Sequence, residues 1–506
     1  MYMKGRNVAI LFFVAMLFGA GMAYAGTQIV EKADSADQET EENDQIDEDG
    51  DNRSQDNSQP SEEEKLELIE DYRQMGAFSK VLQAYSIIQN NYVEDVKEEE
   101  LIEGAIQGML DTLDDPYSVY MDKETVEQFN DAIESSFEGI GAEVSIVDGR
   151  VTIVAPIKDS PAEKAGLKPN DQIIEVDGEN IEGMDLYDAV LKIRGEKGTP
   201  VTLTIKRPGT EELLEVEVIR DTIPIETVYT SIKEVNGQTA GIIEITSFSE
   251  NTAADFSSAL KKLEEEEQID GLVIDVRGNP GGLFTSVENI LGHFITKDDP
   301  YVQIEKRDGE KVPYYSDLNE GKDYPIAVLI DEGSASASEI LAAAMNEAGD
   351  YPLVGTKTFG KGTVQQAIPM GDGSDIKLTI YKWLTPEGNW IHEKGIEPTV
   401  PVEQPEFFYA NPIQVEESLS SDMTGDQIAS AQLMLKGIGY DPGRTDGYFD
   451  DKTEQAVKAF QQDQGLQVTG QIDNRTASVL EQQIVEAVRS EENDRQLKKA
   501  LEVLFQ

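Results

Sequence analysis

The 506-residue chain contains no cysteine, which excludes disulfides, a thiol nucleophile and thiolate metal sites. It has only two histidines, His293 and His392, so a histidine-rich metal centre is excluded and a serine–histidine–aspartate triad has two possible bases. Positive charge is scarce: 42 Lys and Arg stand against 99 Asp and Glu, a formal net charge of -57. Such a surface repels nucleic acid and anionic lipid, so no nucleic-acid partner is expected. A solubilising surface is the plain reading of this charge.

Long apolar runs are equally scarce. The one that stands out follows Lys4 and Arg6, from Val8 to Phe18, and leads to Ala23-Tyr24-Ala25. This is the pattern of a secretory signal with an A-x-A cleavage site. No charge occurs in the 24 residues from Asn7 to Val30, a length that also suits an uncleaved anchor. Residues 1–30 are therefore read as signal peptide or membrane anchor, and the protein as exported. At the other end, residues 501–506 (LEVLFQ) look like an engineered protease-site scar and are expected to lie outside the fold.

Composition divides what remains. Residues 31–64 are acidic and almost free of large apolar side chains, the texture of a disordered tether. Over residues 65–136, the spacing Phe78, Val81, Leu82, Tyr85, Ile88 predicts one amphipathic helix, and Leu101, Ile102, Ala105, Ile106, Met109, Leu113 a second. Their apolar faces can pack within the chain or against a second copy, which makes a homodimer one expectation. From Phe137 the texture changes to short β-branched runs separated by Gly, Pro, Asn and Asp turns. Within 137–222, SPAEKAGLKPNDQIIEVDG resembles a PDZ domain. The stretch Gly139, Ile140, Gly141, Ala142 lies where such domains receive a peptide carboxylate on successive backbone N–H groups. Residues 223–420 alternate strands (TAGIIEITSF, GLVIDV, IAVLI, PLVGT) with helical runs, a mixed α/β core. Residues 421–490 contain an echo, DGYFDDKTEQAVKAFQ followed by TGQIDNRTASVL, and resemble the small three-helix peptidoglycan-binding domain. The fold class is thus multidomain α+β: a helical N-terminal segment, a PDZ domain, a ββα-type core and a three-helix C-terminal domain.

Three serines alternate in DEGSASASEI, between the apolar run PIAVLI and a helix-like run. A hydroxyl becomes a nucleophile only when a neighbour accepts its proton. Lys361, in TFGKGTVQ, is the notable candidate base, because flanking Gly360 and Gly362 let its backbone approach another segment closely. An amine works as a base only when neutral, which means bringing a pKa of roughly 10.4 down to about 7, about 4 kcal/mol of differential stabilisation. Phe359, Val364 and Ile368 offer apolar company for this. Ser336 is followed three residues later by Glu339, the form of a capping box, so a plain N-cap accounts for the same letters. The two roles share a location, since helix N-termini also stabilise an oxyanion. Ser334 and Ser338 are competitors.

DEGSASASEI, RGNPGG and TFGKGTVQ, in this order after the PDZ signature and with LDDPYS before it, resemble the carboxyl-terminal processing protease family. That resemblance spans roughly 66–402 and implies a serine endopeptidase needing no metal or cofactor. It places the nucleophile on Ser336, the base on Lys361 and an orienting group on Gln365. It also implies an oxyanion hole from Ala337 and either Gly281 or Gly282. Arg194, in KIRGEKGTPV, is expected to pair with the catalytic domain and report peptide occupancy, an ordinary surface ion pair being the alternative. The expected partners are protein substrates with accessible apolar C-termini, and peptidoglycan, in an extracytoplasmic, wall-associated setting. Weaker alternatives are a serine–histidine enzyme, a non-catalytic PDZ and wall-binding scaffold, and an acyl-CoA hydratase.

Overall fold

The computed structural model describes residues 62–506 except 135, 148, 211 and 416. The signal-like segment and most of the acidic tether lie outside the described residues. Among the described residues no helix is long and apolar enough to cross a membrane. Two compact units divide the chain: one contains the N-terminal residues through Asn130 together with Val364–Tyr381, the other Asp131–Thr363 together with Lys382–Gln506.

The chain opens with helices α1 (Glu62–Asn91) and α2 (Glu98–Asp111), strand β1 (Val119–Met121) and helix α3 (Lys123–Ile133). Helix α1 starts well before the expected Phe78, because the Glu-, Lys- and Leu-rich run from Glu62 has high intrinsic helix propensity. Of its periodic apolar residues Phe78, Val81, Leu82 and Ile88 are exposed, Phe78 by 53% and Leu82 by 63%, while Tyr85 is half-buried. The turn LDDPYS closes on itself: Asp115 accepts from the Tyr117 N–H and the Ser118 hydroxyl.

The PDZ region begins with β2 (Ser136–Gly139), β3 (Ala142–Val147), β4 (Arg150–Pro156) and the short helix α4 (Pro161–Lys164). It continues through β5 (Gln172–Val176), β6 (Glu179–Asn180), helix α5 (Leu186–Ile193), β7 (Pro200–Lys206) and β8 (Leu214–Ile219). Its sheet runs β3-β4-β5-β7-β8, with β6 paired to β5. Apolar residues of its strands form its core, including Val151, Ile153, Ile173, Val201, Leu203 and Ile205. Strand β9 (Asp221–Pro224) returns to pair antiparallel with β2.

The core domain comprises β10 (Val228–Val235), β11 (Gln238–Ile245), helix α6 (Thr252–Glu265), β12 (Gly271–Asp275) and helix α7 (Phe284–Leu291). After β13 (Val302–Glu305) and β14 (Lys311–Tyr314) come β15 (Ile326–Ile330), helix α8 (Ala337–Ala343) with a π turn behind it, and β16 (Leu353–Gly355). Strands β17 (Thr363–Pro369) and β18 (Asp375–Leu384), most of whose residues belong to the other unit, follow, and then β19 (Val400–Pro401). The main sheet runs β10-β11-β12-β15-β16-β19, antiparallel only between β10 and β11. Every residue of β12 and β15 is buried, as the uninterrupted runs GLVID and IAVLI require of central parallel strands. The loops after β12 and β15 leave the carboxyl ends of neighbouring strands, where α/β folds build their sites.

The last helices are α9 (Asp426–Gly437), α10 (Asp451–Asp463), α11 (Asn474–Arg489) and α12 (Arg495–Leu504). The internal echo has a structural meaning. Asp450 and Asp473 cap α10 and α11. Buried Gln432 accepts from the Gly447 N–H and donates to the Tyr448 carbonyl and the Thr453 hydroxyl, and buried Gln461 does the same for Gly470, Gln471 and Thr476. The domain's core also takes in Phe407, Ile413 and Leu419, upstream of the expected boundary at 421. The exclusion of 501–506 is corrected: Ala500 and Leu504 of α12 pack with Ala240, Val273, Ala327, Leu329 and Val354 of the sheet. Four apolar residues in LEVLF are reason enough for that helix to seek the sheet face.

Candidate active site

Each serine of DEGSASASEI has a distinct fate. Ser334 donates its hydroxyl to the Val276 carbonyl at 2.8 Å, and Ser338 donates to the Asn279 carbonyl at 2.9 Å. Both therefore stitch the turn after β15 to the loop after β12. Ser336 is also buried, 1% exposed, yet its Oγ makes no hydrogen bond in the described structure. Its backbone lies at φ +57°, ψ -113°, a region that β-carbon sterics disfavour by about 1–3 kcal/mol and that is found where a side chain must be aimed.

The capping box is half made. The Ser336 N–H donates to Glu339 Oε2 at 2.9 Å, but the Glu339 N–H goes to the Ser336 carbonyl and not to its hydroxyl. Ser336 starts the helix without using its side chain as the cap.

Glu339 does more than cap. Its Oε2 also accepts the Lys361 N–H at 2.8 Å, while Oε1 accepts the Gly360 N–H at 2.7 Å and the Thr358 hydroxyl at 2.6 Å. Burial pushes this carboxyl above its ordinary range, against the pull of those four hydrogen bonds. One residue thus organises both the serine turn and the lysine loop. The sequence offered only its place in S-x-x-E as a signal.

Lys361 is fully buried, and its carbonyl accepts the Trp383 indole N–H at 2.8 Å. The flanking glycines are there for close approach. A Cβ on Gly360 would lie 2.9 Å from the Gly395 nitrogen, and one on Gly362 2.8 Å from the His392 nitrogen. Of the three apolar neighbours expected to desolvate the lysine, only Val364 is buried; Phe359 and Ile368 are 45% and 40% exposed, because their side chains point to solvent. Gln365 is buried on β17, in the other unit, and donates to the Thr379 hydroxyl at 3.1 Å. Thr379 in turn donates its N–H to Ser118 of the LDDPYS turn.

The RGNPGG loop reaches the serine. A Cβ on Gly281 would lie 2.8 Å from Ser336 Cβ and 3.0 Å from the Ala337 nitrogen, so only glycine fits, and its φ is +106°. Gly282, at φ +147°, forms a parallel bridge with Phe248 after β11. Arg277, at the start of the loop, is held by Asp275 and by Asp494 at the head of α12. Asp331 receives the N–H groups of Gly278, Gly333 and Ser334, and burial raises its carboxyl despite them.

The histidines stand apart in role. His293 Nε2 meets the Ser257 hydroxyl at 2.8 Å, and burial, with Lys322 nearby, lowers its pKa. His392 stacks on Trp390 at 5.2 Å and its Nδ1 accepts the Gly362 N–H at 3.4 Å.

In the PDZ region, Gly141 is at φ +72° and a Cβ there would lie 2.5 Å from Ser160 Cβ. The Ile140 and Gly141 carbonyls are tied back to the N–H groups of Ala162 and Ile157, which fixes the loop 139–142. Arg194 pairs with Asp131 of α3 at 2.6 Å and covers the Phe137 ring. The expectation of a catalytic-domain partner is corrected on this point: the carboxylate within reach belongs to the helix preceding the PDZ sheet.

Residues 239–402 match the model of peptidase family S41. Carboxy-terminal processing protease CtpB of Bacillus subtilis (strain 168) is 52% identical over 503 residues, 99% of this chain and 100% of its own length. The chain belongs to peptidase family S41. This S41 chain also matches the N-terminal domain of activating protease CtpB over 16–125, a PDZ domain over 152–207 and a peptidoglycan binding domain over 424–480. It is 42% identical to carboxy-terminal processing protease CtpA of the same organism over 427 residues, 84% of this chain and 90% of that one. A solved photosystem II D1 C-terminal processing protease is 27% identical, covering 64% of this chain and 92% of its own, with a TM-score of 0.39. The family model and the identity to CtpB make the S41 chain a peptidase of the carboxy-terminal processing type, with PDZ and peptidoglycan-binding-like domains.

Proposed function

We propose that this S41 peptidase is exported, captures accessible apolar C-termini of proteins on its PDZ loop 139–142, and hydrolyses a nearby peptide bond with Ser336 and Lys361. The observation that carries this reading is that Ser334 and Ser338 are committed to backbone carbonyls while Ser336 Oγ is not. Ser336 Oγ attacks the carbonyl carbon, and its proton passes to the Lys361 amine as the C–O bond forms. The oxyanion is received by backbone N–H groups at Ala337 and the Gly281-Gly282 turn. Collapse breaks the C–N bond, and the proton on Lys361 goes to the leaving amine. Water, deprotonated by Lys361, then attacks the acyl-enzyme and frees Ser336.

The signal-like N-terminus and the domain around 424–480 support an extracytoplasmic, wall-associated setting with peptidoglycan as partner. The exposed apolar stripe of α1 supports a second copy of this chain as a partner. Co-sedimentation with purified peptidoglycan and the oligomeric state in solution test those two points.

The decisive experiment is on the pair. Ser336→Ala and Lys361→Ala should each abolish cleavage of an unstructured protein while leaving thermal unfolding within a few degrees of wild type. Lys361→Arg should be equally inactive, because a guanidinium stays protonated. Full activity in Ser336→Ala would move the nucleophile elsewhere and return Ser336 to the role of a helix start.

A further inference from the structure

We infer that Asn279 is the positioning residue of the oxyanion loop: its carboxamide takes up the Gly281 N–H and ties the loop to β11, leaving Gly282 as the loop's donor in the oxyanion hole that the family resemblance implies. This rests on the Ser336 and Lys361 reading and specifies how its oxyanion hole is built.

Asn279 is completely buried and uses both ends of its carboxamide. Nδ2 donates to the Ile245 carbonyl at the end of β11 at 2.7 Å, and Oδ1 accepts the Gly281 N–H at 2.8 Å. Its own carbonyl accepts the Ala335 N–H at 3.0 Å and the Ser338 hydroxyl at 2.9 Å. One side chain and one peptide group therefore connect β11, the glycine loop and the serine turn. The direction of the carboxamide is set by its partners, since the reverse would face an NH2 group with the Gly281 N–H.

The consequence concerns which glycine is free to act. The Gly281 N–H is occupied by Asn279. The bridge to Phe248 uses the Gly281 carbonyl and the Leu283 N–H. In such a ladder the central residue directs its own N–H to the opposite side. For Gly282 that is the side away from Phe248. The tight contact of Gly281 with Ser336 Cβ and the Ala337 nitrogen brings the loop to the nucleophile. Ala337 and Gly282 then form the pair of donors.

Asn279→Ala and Asn279→Asp, assayed beside Ser336→Ala, test the assignment. Both Asn279 variants should lose kcat by about 10²–10³-fold, the loss expected when an oxyanion donor is displaced, with KM changed less than about threefold. A peptide aldehyde, whose adduct with Ser336 places an oxygen in the hole, should lose affinity by a similar factor. Binding of uncleaved peptide, measured with Ser336→Ala added, should be unchanged. In Asn279→Asp the protonated side chain again offers one donor and one acceptor, so the ratio of its kcat to wild type should rise as pH falls. A merely structural role would give no such recovery. If Asn279→Ala fails to fold, Asn279→Asp decides. Folded Asn279→Asp with kcat and aldehyde affinity within about threefold of wild type overturns the inference, as does a loss shared equally by peptide binding and kcat with no recovery in acid. Activity in Ser336→Ala alone would instead sink the parent reading, and this inference with it.

Discussion

Ser336 and Lys361 hang from the same carboxylate oxygen: Glu339 Oε2 accepts the backbone N–H of both, at 2.9 and 2.8 Å. Their 25-residue separation in sequence is thereby closed through one side chain on the first turn of α8. Because Oε1 holds Gly360 and Thr358 as well, the whole lysine loop is referenced to the helix that begins at the serine.

Glu339→Gln should therefore impair the enzyme without touching the proposed reacting atoms. The amide would turn an NH2 group toward at least one backbone N–H, and a broken buried network of this kind destabilises by about 2–4 kcal/mol. Denaturant unfolding should show that loss, and peptide cleavage should fall at least tenfold in the protein that remains folded. Unchanged activity and stability would mean that the loops hold their positions without the carboxylate.

Lys377 provides a pH test in the smaller unit. It lies buried on β18 opposite Val119 of β1, 5.7 Å from the Phe129 ring centre, and burial lowers its pKa to about 8, with Asp115 pulling the other way. Its unfolded value is near 10.4. A folded pKa below the unfolded one means stability that is fully present above about 10.4 and is lost as pH falls through about 8, roughly 3 kcal/mol in all. Urea unfolding at pH 7 and pH 10 should show Lys377→Met stabilised over wild type at the lower pH and lacking the alkaline gain attributable to this group. A variant less stable than wild type at pH 7 would mean that the pairing with Asp115 outweighs desolvation.

The C-terminal helix gives a third test. Removing Arg495–Gln506 uncovers Ala240, Val273, Ala327, Leu329 and Val354 on the sheet that carries both site loops. Losing Leu504 alone from such a position costs about 2–5 kcal/mol. Leu504→Ala should lower the unfolding free energy by that amount, and the truncation should yield aggregated or inactive protein. A truncated chain with native stability would restore the reading of LEVLFQ as an appendage.

Local patterns in the sequence determined the elements and their order. Short β-branched runs between turn residues became the PDZ strands, unbroken runs such as IAVLI became buried parallel strands, and Gly360 and Gly362 marked a backbone approach that side chains would forbid, because each of these properties acts over a few neighbouring residues. The family motifs likewise placed Ser336, Lys361 and the glycine loop in one proposed site. The tertiary structure decided what depends on partners far along the chain. Ser334 and Ser338 are distinguished from Ser336 only by carbonyls at Val276 and Asn279, about sixty residues away. Glu339 read as half of a local cap until Thr358, Gly360 and Lys361 arrived to share its oxygens. LEVLFQ read as a tail until a sheet face was present to bury it, since burial is a property of two surfaces and a linear sequence displays only one.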